Sequence, residues 1–269
     1  MNKKVGFIGC GNMGKAILNG LISGQIITPD TVYVHNHSPA STARVAAEFG
    51  VHEAEHTTTV AEQSDIIFIG VKPYAVTGIL QEIAPSLKAE SIIISIAAGV
   101  TLSTLEAALP ASCKVVRLMP NTPALVNAGM TSVTPNKFLT EADTELVMSL
   151  CRSFGRAEIV QESLIDAVIG VSGSAPAYVF MFIEAMADAA VAGGMPRKQA
   201  YEFAAQTVMG AAKMVLETGK HPGDLKDMVC SSGGTTIEAV AKLEETGLRR
   251  SVIAGVRSAI EKSQEMSRK

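Results

Sequence analysis

Residues 5–14, which read VGFIGCGNMG, decide the fold. An apolar strand pattern runs into a G-x-G-x-x-G loop, and a helical pattern follows. In such a loop the first glycine permits a tight turn, the second lets the backbone approach a pyrophosphate, and the third lets helix and strand pack closely. The free N–H groups of the helix start favour phosphate. This predicts a dinucleotide site, against the alternative of a glycine-rich turn without a ligand, and its residues are Gly9, Gly11, Asn12, Met13 and Gly14.

Short β-branched runs alternate with amphipathic stretches over residues 1–160. Continuous apolar runs are typical of parallel strands that are buried on both faces, and this alternation predicts a doubly wound α/β domain of the Rossmann type. The predicted helices include Gly14–Ser23 and Ser41–Phe49. The predicted strands are Lys4–Gly9, Thr31–His35, Asp65–Val71, Ser91–Ala97, Lys114–Met119 and Gly129–Thr134.

Residues 161–269 show helical patterns only, which predicts an all-α second domain. Glycine and proline residues separate the helices, as expected for helix ends and starts. The stretch Leu164–Ala192 is apolar almost all round, but Asp166, Glu184 and Asp188 would be costly in lipid, so a buried helix is expected and not a membrane span. The predicted helices are Ser163–Ala192, Arg197–Thr218, Thr235–Glu245 and Leu248–Ser267.

Composition excludes several classes of function. The chain has 269 residues with 23 basic and 26 acidic side chains, and neither half has the basic excess that nucleic-acid binding requires. The four cysteines are scattered without a metal-like spacing, which predicts reduced thiols, no metal site and a cytoplasmic location. The strand pattern begins directly at the N-terminus, so no signal peptide is expected.

The end of the second predicted strand bears on the choice of dinucleotide. NAD sites place an acidic residue there to hold the ribose 2′-hydroxyl. This chain instead has Asn36, His37 and Ser38, with Arg44 further on. These side chains can donate hydrogen bonds to a 2′-phosphate, whereas a carboxylate would repel it. The pattern favours NADPH as cofactor, with NADH as the alternative, although His35 or His37 alone also suits an ordinary polar strand end.

Five further motifs give the chain a family resemblance from residue 4 to residue 262. They are VKP at 71–73, SIAAGV at 95–100, RLMPNTP at 117–123, GSAPAY at 173–178 and SSGGTT at 231–236. Together with the glycine loop, this order resembles the pyrroline-5-carboxylate reductases, the enzymes of the last step of proline biosynthesis. The resemblance implies that the cofactor also contacts Val71, Lys72, Pro73, Ala97, Ala98, Gly99 and Asn121.

The last of these motifs has the features of an anion site. Two glycines precede a helix that is predicted to begin near Thr235, so several backbone N–H groups point towards one spot. The alternative is that a hydroxyl merely caps the helix. The resemblance implies that Ser231, Gly233, Gly234, Thr235 and Thr236 bind the substrate carboxylate. It also implies that Thr236 contacts the ring nitrogen as the catalytic residue.

The resemblance implies reduction of a cyclic imine, Δ1-pyrroline-5-carboxylate, to L-proline by NADPH or NADH. It also implies an interlocked helical dimerisation domain, so at least a homodimer is expected, and a ring of dimers suits the family as well. Two departures, Ser232 for a common proline and Ala175 for a common glycine, are expected to affect affinity more than activity.

Two alternatives stay open at this point. A β-hydroxyacid dehydrogenase shares this domain order but needs a catalytic lysine in the helical part, for which Lys213 is the candidate. A regulatory protein that binds NADP without catalysis is the second, and the intact GGTT motif argues against it.

Overall fold

A computed structural model describes residues 3–267 of the chain. The described residues form one eight-stranded sheet in the order β3-β2-β1-β4-β5-β6-β7-β8. All neighbouring strands are parallel except β6 and β7. The strands are β1 (Val5–Ile8), β2 (Val32–His35), β3 (His52–Glu53), β4 (Ile66–Ile69), β5 (Ile92–Ser95), β6 (Lys114–Met119), β7 (Gly129–Pro135) and β8 (Gly155–Ile159).

Helices cover both faces of the sheet, and the described residues after β8 form helices and the loops between them. Their bounds confirm an α/β Rossmann-type domain followed by an all-α part. The helices are α1 (Asn12–Ser23), α2 (Pro39–Phe49), α3 (Thr57–Gln63), α4 (Val76–Ile83), α5 (Leu102–Ala107), α6 (Glu141–Arg152), α7 (Ile165–Val168), α8 (Ala175–Ala192), α9 (Arg197–Thr218), α10 (Pro222–Val229), α11 (Thr235–Glu245) and α12 (Leu248–Ser267).

The buried strands explain why the sheet forms. β1, β4 and β5 are buried along their full length, and a hydrophobic cluster covers each face of the sheet. The rings of Phe7 and Phe68 on β1 and β4 stack with centroids 4.8 Å apart. The chain order reverses at β1, which has β2 on one side and β4 on the other. In open α/β sheets, ligands bind at the carboxyl ends of the strands at this point.

All six predicted strands are present, and two further strands were not predicted. β3 has only two residues, both exposed, and β8 has a single buried residue, Ala157, so neither shows a strand pattern. The antiparallel pairing of β6 and β7 was not predicted either. It follows from their short connection, since a parallel crossover needs a dozen or more residues.

The predicted helix Ser163–Ala192 is interrupted. A π-helical turn at Ile169–Gly173 separates α7 from α8, and Pro176 lies in the first turn of α8. Proline fits there because the first N–H groups of a helix have no partner within it.

The chain forms two compact units. One comprises the chain up to Gly173 together with the chain end from Ala259, and the other is Ser174–Ser258. Hydrogen bonds from Arg117 Nη1 to Glu162 Oε1 (2.9 Å) and from Ser263 Oγ to Asp166 Oδ1 (2.5 Å) hold the early helical turns and the chain end in the first unit. The predicted domain limits, 1–160 and 161–269, follow the change in secondary structure and stay a prediction; residues 1–2 and 268–269 lie outside the described part.

The expectation of a buried helix at Leu164–Ala192 is wrong for the single chain. Of the residues in α8, all of which are described, only Ala187 is buried, and Phe180 and Met181 are 63% and 68% exposed. Within residues 3–267, Glu162–Ala192 is the one helical stretch that meets the length and composition of a membrane span, a test that core helices of soluble proteins also pass. The stretch is apolar as predicted, but residues 3–267 leave most of the α8 surface uncovered.

We expect Gly155→Ala to destabilise the fold strongly. Gly155 has φ +150°, and a Cβ there would lie 2.0 Å from the Gly129 carbonyl oxygen. The free energy of unfolding should fall by about 3 kcal/mol or more. In Gly78→Ala, the matched control, the Cβ meets nothing within 4 Å on an exposed helix position, and stability should rise by up to about 1 kcal/mol. Thermal or urea unfolding measures both, and equal stability of the two variants would contradict the assigned backbone.

Candidate active site

A cleft of about 990 Å³ lies in the first unit at the carboxyl ends of β1, β2, β4 and β5. The structure brings most of the predicted cofactor residues together around it. These are Gly9, Gly11, Asn12, Met13, Gly14, Asn36, His37, Ser38, Val71, Lys72, Pro73, Ala97 and Ala98.

The three glycines of the loop have different surroundings. Gly9 has φ +85°, and a Cβ there would lie 2.7 Å from the Val71 nitrogen, so the turn requires glycine. A Cβ at Gly11 would meet nothing within 4 Å and would occupy space in the cleft. At Gly14 it would lie 3.3 Å from the Cys10 Sγ, which indicates close packing of the helix on the glycine loop. The turn at Gly9 and the open space at Gly11 fit the roles that the motif predicts, and the approach of a pyrophosphate to Gly11 stays a prediction.

The start of α1 offers unpaired backbone donors to the cleft. Gly11 is its N-cap residue and supplies no side-chain cap, and the first helical bond runs from Lys15 N–H to the Gly11 carbonyl oxygen (2.8 Å). The N–H groups of Asn12 and Met13 therefore suit a phosphate. Burial raises the pKa of the Cys10 thiol to about 12, so this side chain stays neutral and adds no negative charge beside the anion.

Asn36, directly after β2, is held rigidly and has one free donor. The Cys10 N–H donates to Asn36 Oδ1 (2.6 Å), and the Asn36 N–H donates to Thr42 Oγ1 (2.9 Å). The Cys10 N–H can donate only to the amide oxygen, so this bond determines which end of the Asn36 amide is Oδ1 and which is Nδ2. The Nδ2 group is then the donor that is available to a ligand. Nδ2 is buried and has no partner among the described residues. A buried unpaired donor is costly, so this position fits an acceptor oxygen of a bound dinucleotide.

The next residues extend the same end of the cleft. His37 and Ser38 are exposed and line it, and Ser38 is the N-cap residue of α2 without a side-chain cap bond. Arg44 is exposed on α2 and lies outside the residues that line the cleft. The arrangement thus offers neutral and basic donors where many NAD-binding sites have a carboxylate.

Several cleft residues were missed from the sequence. Thr57 donates through its hydroxyl to Glu82 Oε1 (2.5 Å), which ties the start of α3 to the end of α4. Thr57 was missed because β3 shows no strand pattern in the sequence. Without that strand, the helix that follows it could not be assigned to the edge of the sheet where the cleft lies. The full set that sequence reasoning did not assign is His35, Ser41, His56, Thr57, Tyr74, Ala75, Ile79 and Glu82, with the strand-end residues Ile8, Gly70 and Ile96.

Two predicted cofactor residues do not line the cleft. Asn121 Oδ1 accepts from the Met130 N–H (2.8 Å), and Asn121 Nδ2 donates to the Ser172 carbonyl oxygen (3.0 Å). Both ends of its amide therefore hold the loop after β6 in place. Gly99 has φ +77° in the turn after β5, where glycine is favoured. Their roles as cofactor ligands stay predictions.

In the second unit, α11 begins at Thr235 as the sequence predicts. The Gly234 N–H donates to the Ser231 carbonyl oxygen (3.1 Å), and Gly233 has φ +66°. Gly234 is the N-cap residue, and no hydroxyl caps the helix, so the first N–H groups of α11 are free for an anion. Thr235 is exposed and Thr236 half-buried. The geometry thus disfavours the interpretation of these hydroxyls as helix caps.

The fold and the cleft define a Rossmann-type dinucleotide-binding protein with a helical second half. A model described as pyrroline-5-carboxylate reductase dimerisation matches residues 162–266, and one described as NADP oxidoreductase coenzyme F420-dependent matches residues 4–99. The chain is 59% identical to the pyrroline-5-carboxylate reductase of Escherichia coli (strain K12) over 100% of both chains.

Solved structures agree with this likeness. The chain matches a pyrroline-5-carboxylate reductase from Coxiella burnetii with TM-score 0.92 and 33% identity over 99% of each chain. It matches the Plasmodium falciparum pyrroline carboxylate reductase with NADP bound with TM-score 0.87 and 32% identity, over 99% of this chain and 98% of that one. The chain belongs to the pyrroline-5-carboxylate reductase family. It is an oxidoreductase of proline biosynthesis whose helical part includes a dimerisation domain.

We expect Gly11→Ala to weaken dinucleotide binding without unfolding the protein. The new methyl group enters open space at the cleft, where the motif predicts that the backbone approaches a pyrophosphate. The dissociation constant for NADPH should rise at least about tenfold, or about 1.4 kcal/mol, while unfolding shifts by less than about 1 kcal/mol. Cofactor fluorescence titration measures the affinity, with Gly78→Ala as control. Unchanged affinity would remove Gly11 from the binding site.

Proposed function

We propose that this chain reduces Δ1-pyrroline-5-carboxylate to L-proline, with NADPH as the preferred reductant and NADH as the alternative. The observation that carries the proposal is the uncharged end of β2, where Asn36 Nδ2 is buried and unpaired, in a chain that resembles named reductases over its whole length. The NADP bound by the Plasmodium falciparum relative supports the choice of cofactor.

The first unit binds and orients the cofactor. The N–H groups of Asn12 and Met13 hold the pyrophosphate, and Asn36 holds the adenosine ribose end, with His37 and Ser38 beside it. When bound, NADPH supplies the hydride. Ala97 and Ala98 line the cleft after β5 and present little side-chain bulk, so a flat ring can lie against the backbone there.

The second unit binds the substrate in this proposal. The free N–H groups at the start of α11 and the hydroxyls of Ser231 and Thr235 bind the carboxylate. Thr236 donates a hydrogen bond to the ring nitrogen and so orients the C=N bond. Hydride adds to the imine carbon while the nitrogen keeps its proton. Because a cyclic imine carries that proton near neutral pH, the chain has to orient two reactants and exclude water without a strong general base.

The assembly we propose is a homodimer in the cytoplasm, with a ring of dimers as the larger form. The exposed apolar residues of α8 and α9, such as Phe180, Met181 and Phe203, are more than a surface helix in water normally presents. The family match to a dimerisation domain supports a second copy as their cover. The four free cysteines suit a reducing compartment.

The structure weighs against the alternative of a hydroxyacid dehydrogenase. That chemistry needs a lysine placed to handle an alcohol proton. Lys213 Nζ lies 3.6 Å from Glu217 Oε1 one helical turn away, and both side chains are more than half exposed. This is an ordinary surface pair on α9 and not a buried catalytic group.

The exchange Asn36→Asp should reverse the cofactor preference. Aspartate has nearly the same shape and still accepts the Cys10 N–H bond, but it replaces the free donor with a charge that repels a 2′-phosphate. We expect the NADPH to NADH ratio of kcat/KM to fall by about 10²-fold, or about 2.7 kcal/mol. Kinetics with both cofactors measures it, and an unchanged ratio would exclude Asn36 from cofactor selection.

The exchange Thr236→Val should lower kcat/KM for Δ1-pyrroline-5-carboxylate by about 10²-fold, because it removes a positioned hydrogen-bond donor. Thr236→Ser keeps the hydroxyl and should retain most activity, and cofactor affinity should stay unchanged in both. Spectrophotometric oxidation of NADPH measures the rates. If valine and serine variants are equally active, Thr236 has no part in the reaction.

A further inference from the structure

The loop between β5 and α5 is fixed at both of its ends. At the first end, the Ala97 N–H donates to the hydroxyl oxygen of Ser95, the last residue of β5 (3.3 Å). At the second end, the Leu102 N–H donates to Glu162 Oε1 (2.7 Å). Between these two bonds, residues 98–100 make no backbone–backbone hydrogen bond within residues 3–267. The course of the loop therefore depends on how its ends are held.

Glu162 supplies an acceptor that the local sequence of α5 does not. Thr101 is the N-cap residue of α5, and its Oγ1 accepts the Thr104 N–H (3.2 Å). The Leu102 N–H has no acceptor inside the helix, because the first N–H groups of any helix lack one. Its acceptor comes from Glu162, 60 residues later, in the short turn that follows β8. This bond therefore ties the loop to a distant segment of the first unit, which a local cap does not do.

Arg117 on β6 holds the Glu162 carboxylate in turn. Arg117 Nη1 donates to the same oxygen, Oε1, at 2.9 Å, and the Arg117 side chain is only 5% exposed. In the sheet, Arg117 is the register partner of Ser95, the residue from which the loop starts. A guanidinium that is removed from water loses hydration free energy, so such a pair is weak evidence for stability alone. Its clear effect is on geometry, because it fixes the carboxylate that holds the loop.

We propose that Glu162 is a positioning residue for hydride transfer. It holds the far end of the loop whose residues Ala97 and Ala98 line the cleft. This rests on the proposed function, in which the nicotinamide ring lies against that loop. The rate of hydride transfer depends steeply on the distance and angle between the two reacting carbons. A loop that is released at Leu102 therefore lowers the rate of the reaction and weakens the hold on the ring, while the adenosine half of the cofactor is bound as before.

The geometry at Glu162 allows the hold on the loop and the ion pair to be tested separately. Both bonds reach Oε1, and Oε2 makes no hydrogen bond among the described residues. Glu162→Gln therefore keeps an oxygen for the Leu102 N–H and for Arg117 but removes the charge. Glu162→Ala removes both bonds. The double exchange Arg117→Met with Glu162→Leu removes both charges together, so that no buried charge is left unpaired, while the Leu102 N–H still lacks its acceptor.

Asp143 provides a matched control at the opposite edge of the sheet. Its Oδ2 accepts the N–H of Thr140, the N-cap residue of α6 (3.1 Å), and pairs with Lys114, the first residue of β6 (2.9 Å). One carboxylate oxygen thus again accepts a backbone N–H at a helix start and a cation of β6. The cleft lies at the carboxyl ends of the strands, and none of these three residues lines it. Asp143→Ala therefore removes a contact of the same kind that does not hold a cleft loop.

The experiment combines kinetics, binding and thermal unfolding of the full-length protein. We expect kcat with NADPH and Δ1-pyrroline-5-carboxylate to fall about tenfold in Glu162→Ala and in the double variant, and to stay within about twofold of wild type in Glu162→Gln and Asp143→Ala. NADPH deuterated at the transferred position should show a larger isotope effect on kcat in the two slow variants. In calorimetric titration of these variants, the dissociation constant for NADPH should rise about threefold, whereas that for 2′-phospho-ADP-ribose, which lacks the nicotinamide ring, should stay unchanged.

Melting temperatures at one protein concentration separate positioning from stability. Glu162→Gln leaves the Arg117 guanidinium without its counter-charge, and Asp143→Ala removes a cap, so both should melt a few degrees below wild type although they stay active. If kcat instead follows the melting temperature through the whole series, Glu162 has a structural role only and the proposal is overturned. Should Glu162→Ala not fold, the double variant decides the question.

Two further outcomes would also overturn the role of Glu162. One is a Glu162→Ala or double variant with the kcat of wild type, and the other is an equal loss of affinity for NADPH and for 2′-phospho-ADP-ribose. A wild type that does not oxidise NADPH with Δ1-pyrroline-5-carboxylate would refute the proposed function, while the two binding measurements would still test Glu162. The two failures are thus distinguishable.

Discussion

The hydrogen bond from the Cys10 N–H to Asn36 Oδ1 joins the two segments on which the cofactor cleft depends. It links the glycine loop after β1 to the end of β2, and a second bond from the Gly9 N–H to the His35 carbonyl oxygen (2.9 Å) supports it. One residue thereby closes the loop and leaves its own amide nitrogen buried and unpaired at the cleft. The conformation of the glycine loop and the polarity at the end of β2 therefore depend on the same residue.

The parts of the fold that were predictable are those with a strong local pattern. The glycine loop, the buried strands and the start of α11 at Thr235 each follow from residue types within ten positions of one another. β3 and β8 were not predictable, because two exposed residues at an edge and a strand with one buried residue show no periodicity. Glu82 could not be assigned because its cleft position depends on tertiary contact with Thr57, 25 residues earlier.

Asn121 shows that a motif residue need not line the cleft. The motif MPNTP correctly marks a loop at the carboxyl end of the sheet, but both ends of this amide bond to backbone groups. Similarly, Glu162 Oε1 accepts from the Leu102 N–H (2.7 Å) and from the nearly buried Arg117. Motif residues thus include some that hold loops in place and others that line the cleft. Sequence alone does not separate these because both are polar residues at the ends of strands.

The uncovered apolar surface of the helical unit links folding to protein concentration. A domain whose apolar residues are covered by another copy is stabilised by mass action, so its melting temperature rises with the amount of protein present. In the homodimer that we propose, dilution therefore lowers the stability of the second unit, whereas the sheet has its core within one chain and depends less on the partner. Expression level thereby becomes a determinant of how much enzyme is folded and not only of how much is made.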